Sequence, residues 1–91
     1  MTAKTMFKKL NFNLFVDNVN DNIIYRNEKG EGYHEIIVFY KDKKEISLRC
    51  VDDNFEINVD GFTFKPESKN FVMTYDLLQA INQQCKELGW I

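Results

Sequence analysis

Apolar and polar residues alternate along most of this chain in short runs separated by polar turns, and near its end the spacing changes to that of a helix. The clearest turn is Asp60-Gly61, between Phe55-Glu-Ile-Asn-Val59 and Phe62-Thr-Phe-Lys65. Asp-Gly between alternating hydrophobics favours a two-residue hairpin, because both central residues must adopt positive φ. It sets Val59 opposite Phe62 and Ile57 opposite Phe64, and it faces Glu56 with Lys65, an opposite-charge pair.

The same logic runs backwards along the chain. A turn at Asp52-Asp53 sets Leu48 opposite Ile57, Ile46 opposite Val59 and Arg49 opposite Glu56. A turn at Asp42-Lys43 sets Phe39 opposite Ile46 and Ile37 opposite Leu48. Two apolar rows, Phe39-Ile46-Val59-Phe62 and Ile37-Leu48-Ile57-Phe64, then cross the strands on one face. A slip of a single residue would turn each displaced strand over and break both rows.

Further upstream, strands at 12–17, 22–28 and 33–40 are predicted. Lys29-Gly-Glu-Gly32 separates the second from the third, and a four-residue turn between the first two sets Val16 opposite Ile23. Met6-Phe-Lys-Lys-Leu10 predicts a short amphipathic helical turn before them. Pro66 cannot donate to a ladder and ends the last strand. Thr74 is then a natural N-cap, and Asp76 suits the first turn of a helix. Leu77, Leu78, Ile81, Cys85 and Leu88 form its apolar side, and Gly89 stands where a helix-terminating glycine belongs. The expected fold is α+β: one domain over 1–91, an antiparallel β-meander of five to six strands, and a C-terminal helix packed on one sheet face.

The other sheet face carries more apolar side chains than a solvated face requires. His34, Ile36, Val38 and Tyr40 share it along one strand, and Phe15 and Ile24 join them from the first two strands. Phe7 and Leu10, or the segment 68–73, are candidates to cover it. Otherwise Ile36, Val38, Tyr40, Phe15 and Ile24 form a surface for a protein partner or a second copy of the chain, since contiguous exposed apolar area marks association.

Composition narrows the function classes. A formal charge of -2, from 12 Lys+Arg and 14 Asp+Glu, argues against a protein built to grip phosphate backbones. Lys41, Lys43 and Lys44 with Tyr40 nevertheless cluster at one hairpin, which is the alternative reading as a nucleic-acid-binding module. Cys50, Cys85 and the one histidine, His34, are too few and too scattered for a zinc site, and both thiols are expected as small core residues of a cytoplasmic protein. Asp52-Asp53 lacks the further oxygen ligands of a calcium loop, and Lys29–Gly32 lacks the lysine and helix of a phosphate loop. No nucleophile and base fall together, so no catalytic residue, cofactor or metal is expected. No apolar run spans a membrane, and no secretory leader is expected.

Met6-Phe-Lys-Lys-Leu-Asn-Phe12, Asn22-Ile-Ile-Tyr-Arg-Asn27 and the ending Ala80-Ile-Asn-Gln-Gln-Cys-Lys-Glu-Leu-Gly-Trp90 together resemble small proteins encoded by phages and prophages of low-GC Gram-positive bacteria. Such proteins open with a short helix, continue as a β-meander and finish with a helix ending in Glu-Leu-Gly-Trp. The longer stretch Phe62–Met73 departs from that pattern. The resemblance implies an intracellular accessory protein and brings no catalytic residues with it.

Overall fold

The computed structural model describes residues 1–17, 22–30, 32–52, 57–59, 62–64 and 71–91. Helix α1 (Ala3–Lys9) begins at Ala3 rather than Met6, because Thr2 caps it: Thr2 Oγ1 accepts from the Thr5 N–H at 3.3 Å. Helix α2 (Tyr75–Glu87) begins as expected, with Thr74 Oγ1 accepting from the Leu77 N–H at 3.1 Å.

Both helices end by one device. Gly89 takes φ +76°, so the Trp90 N–H reaches Cys85 O at 2.9 Å and the Gly89 N–H reaches Lys86 O at 3.0 Å. In α1 the left-handed residue is Asn11, at φ 68°. There the Phe12 N–H reaches Phe7 O at 2.9 Å and the Asn11 N–H reaches Lys8 O at 3.0 Å. These paired bonds define the Schellman ending, and asparagine is the residue that best replaces glycine in it. Phe7 and Phe12, the residues such an ending brings together, meet edge to face with centroids 6.2 Å apart.

The four strands β1 (Asn13–Val16), β2 (Ile23–Gly30), β3 (Tyr33–Tyr40) and β4 (Glu45–Asp52) form an antiparallel meander in sequence order. Ile37 faces Leu48 and Phe39 faces Ile46, the register expected from the sequence. The connecting turn spans Lys41–Lys44, a wider loop than Asp42-Lys43 alone, with Lys44 at φ 53°. Val16 pairs with Ile24, not Ile23: the register shifts between Leu14 and Val16, where a bulge sets two β1 residues against one of β2.

β5 (Ile57–Val59) and β6 (Phe62–Phe64) pair with each other in the expected register, Val59 with Phe62 and Ile57 with Phe64. They form a separate two-stranded sheet, and among the described residues β4 is the last strand of the larger one. The expected pairings of Leu48 with Ile57 and Ile46 with Val59 are therefore not made among the described residues, and the two apolar rows end at β4. A turn can specify a hairpin locally, but the joining of two hairpins rests on packing across the whole sheet. Asp53, the Asp60-Gly61 turn and the pairs involving Glu56 lie outside the described residues.

Alternation puts Leu14, Tyr25, Ile37 and Leu48 in one row of the helix-covered face, and Ile23, Phe39 and Ile46 in the next. Phe7 of α1 and Leu77, Ala80 and Ile81 of α2 complete the core over them. Phe7 is the centre of an aromatic cluster: it stacks on Tyr25 with centroids 4.0 Å apart and meets Phe39 edge-on at 6.1 Å. The stripe of α2 is rotated from the expected one. Leu78 is 52% exposed, whereas Gln84 is buried and accepts a 2.6 Å hydrogen bond from the Tyr25 hydroxyl. Leu77, Ala80, Ile81 and Gln84 follow helical spacing, and Leu78 lies about 100° away from Leu77 around the axis.

Candidate interaction surface

The second sheet face is assembled by the same alternation that builds the core. Its rows across the strands are Val16-Ile24-Val38-Ser47, then Asn13-Arg26-Ile36-Arg49, then Glu28-His34-Val51. Ile24, Ile36, Val38 and Tyr40 are thus brought onto one continuous surface, as expected from the sequence. Val38 lies at its centre, with Ile24 and Ser47 across the strands and Ile36 and Tyr40 two residues away along its own. It is only 4% exposed, while Ile24, Ile36 and Tyr40 are half-buried.

Phe15 belongs to this surface in a different way. It lies at the bulge of β1 and is 63% exposed. The Arg26 guanidinium lies 5.6 Å from its ring centroid, a cation–π contact at the border between the apolar and charged rows. Arg26 also pairs with Glu28 at 2.9 Å and approaches His34 Nδ1 at 3.5 Å. His34 is buried, 6% exposed.

Phe7, Leu10 and Phe71, among the residues expected to cover this face, lie on the other one. Phe7 and Phe12 are in the core cluster on the opposite face, with Leu10 and Phe71 packed against it. The physical reason is the Schellman turn at Asn11, which brings Phe12 back against Phe7 and thereby ties the chain entering β1 to the helix face. Residues 65–70 lie outside the described residues. Arg26 and Arg49 flank Ile36 across the strands; Arg49 was expected on this face through its pairing with Glu56, whereas Arg26 was not singled out. The signal for Arg26 was present in the sequence: it is a cation on the parity of an otherwise apolar face.

The lysine hairpin has a mixed character. Lys41 pairs with Asp17 at 3.5 Å, which ties the β3–β4 turn to the end of β1. Lys43 and Lys44 are exposed, and Asp42 and Glu45 beside them are exposed as well. Alternating charges of both signs weaken the field that would draw a phosphate backbone.

On the helix face, an open cavity of about 420 Å³ lies between Leu10, Asn27, Tyr33, Glu35, Val72 and Leu77. Glu35 accepts a weak 3.9 Å hydrogen bond from the Cys50 thiol at its edge. Both cysteines are free, and burial pushes the Cys85 thiol up from its usual pKa. No helix among the described residues is long and apolar enough to cross a membrane. Comparison with protein-family models, with curated proteins and with solved structures finds no match to this chain.

Proposed function

We propose that this chain is a non-enzymatic interaction protein that engages a protein partner through the sheet face bearing Ile36, Tyr40, Phe15 and Ile24, with Val38 buried beneath them. One observation carries the reading: both helices, with Phe12 and Phe71, pack on the opposite face, leaving Phe15 63% exposed beside half-buried Ile24, Ile36 and Tyr40. The arrangement has the parts of a protein-binding surface, an apolar centre with an arginine-rich polar border. The phage-type ending of the chain supports an accessory role in the cytoplasm.

The test compares affinity capture by the wild type with capture by Phe15→Glu and Ile36→Lys. A partner held by the wild type and lost from both variants supports this face. A partner retained equally by both variants overturns it.

A further inference from the structure

We infer that two copies of the chain join edge to edge through β4, antiparallel about a two-fold axis at Ser47, making one continuous sheet. This uses the strand edge rather than the sheet face, so it stands or falls separately from the function proposed above.

The two edges of the meander differ. β1 is four residues long and carries a bulge, two features that blunt an edge against further pairing. β4 is eight residues long, contains neither Pro nor Gly, and follows β3 without a register shift from Tyr33–Asp52 to Tyr40–Glu45. Among the described residues no strand pairs with its outer side. The apolar rows run to that edge without tapering to polar residues: Ile46 and Leu48 are its last members, and both are half-buried.

Symmetry then selects a register. A two-fold axis perpendicular to the sheet maps each face onto itself, so only residues of the same parity can pair. With the axis at Ser47, Glu45 of each copy faces Arg49 of the other, and Ile46 faces Leu48 on the helix side. Both ion pairs have the required sign, and both apolar rows continue into the second copy. An axis at Arg49 would oppose two guanidinium groups, and one at Leu48 would set Arg49 against Ser47 and Glu45 against Val51, with no ion pair inside the strand. Arg49 already interacts within its own chain, and its five donors allow a further contact. Glu45 and Arg49 are exposed, so reversing their charges tests pairing without disturbing the core.

The experiment measures self-association by analytical ultracentrifugation from about 1 µM to about 1 mM for the wild type, Glu45→Arg, Arg49→Glu and the double reversal. Each single reversal turns two attractive pairs into two repulsive ones, so dissociation should rise by about tenfold or more, and the double reversal should restore the wild-type value. With a mild thiol oxidant, Ser47→Cys should form a disulfide between the introduced thiols of the two copies, identified by peptide mass. Phe15→Glu should leave the dimer unchanged. A chain that stays monomeric over that range, or a dimer indifferent to the single reversals, overturns the inference. So does a dimer whose double reversal fails to recover although thermal unfolding shows the variant folded.

Discussion

The Tyr25 hydroxyl donates to Gln84 Oε1 at 2.6 Å, a buried bond that joins the second strand of the sheet to the C-terminal helix. Tyr25 is only 2% exposed, and its ring also stacks on Phe7 of the N-terminal helix, so one side chain links three elements. Tyr25→Phe should cost about 1–3 kcal/mol, because the glutamine oxygen stays buried without its donor. Gln84→Leu on top of Tyr25→Phe should recover part of the loss, which a double-mutant cycle by urea unfolding would show.

The same residue sets an alkaline limit. Burial, reinforced by the Glu87 and Asp17 carboxylates, holds the Tyr25 phenol neutral and pushes its pKa up to about 12 from the usual value of 10.0. The folded state therefore disfavours the phenolate. This contribution is complete below pH 10 and is lost as pH rises from about 10 to about 12, by roughly 2–3 kcal/mol. In a Tyr25→Phe variant that part of the alkaline destabilisation should be absent, as unfolding curves across this range would measure.

Glu87 joins the two helices at their ends. Its Oε2 accepts from the Ala3 N–H at 2.6 Å and from Gln83 Nε2 at 3.1 Å, so a carboxylate of α2 satisfies an unpaired amide in the first turn of α1. Glu87→Ala should cost about 1 kcal/mol and raise amide exchange selectively in the first turn of α1. Uniformly faster exchange would show instead that the whole domain had weakened.

The two left-handed helix ends give a matched pair. An added Cβ at Gly89 meets nothing within 4 Å, so Gly89→Ala should cost about 1 kcal/mol through backbone strain alone. Asn11 already tolerates φ 68°, so Asn11→Gly should be neutral or slightly stabilising. Thermal unfolding of the two variants would give opposite or unequal shifts, and equal losses would contradict the backbone explanation.

Val38 and Ile36 share a face but differ in burial, so lysine should act differently at each. Val38→Lys places a charge at a position 4% exposed and should unfold or strongly destabilise the domain. Ile36→Lys is half-buried beside Arg26 and Arg49, and the lysine stem can carry its ammonium to water, so the cost should stay near 1 kcal/mol, about the typical point-mutant value. Circular dichroism melts separate the two outcomes.

What was legible in the sequence was local. A period of two with polar turns specified the register of β3 on β4, and a short hydrophobic pattern between Thr74 and Gly89 specified α2 with both its ends. These depend on backbone sterics and hydrogen bonds within a few residues, which the residue types at those positions nearly dictate. The second sheet face was legible for the same reason, since the parity of Ile36, Val38 and Tyr40 follows from that of the core residues between them. Tertiary structure decided the rest. Alone, Tyr25 and Gln84 suit a surface as well as a core, and only their meeting makes both buried. Phe7 had two sheet faces available, and stacking on Tyr25 selected one. The bulge beside Phe15 likewise depends on packing between distant segments, as does the separation, among the described residues, of the β5–β6 hairpin from the larger sheet, where a strand's own pattern is equally compatible with joining a neighbour or leaving it.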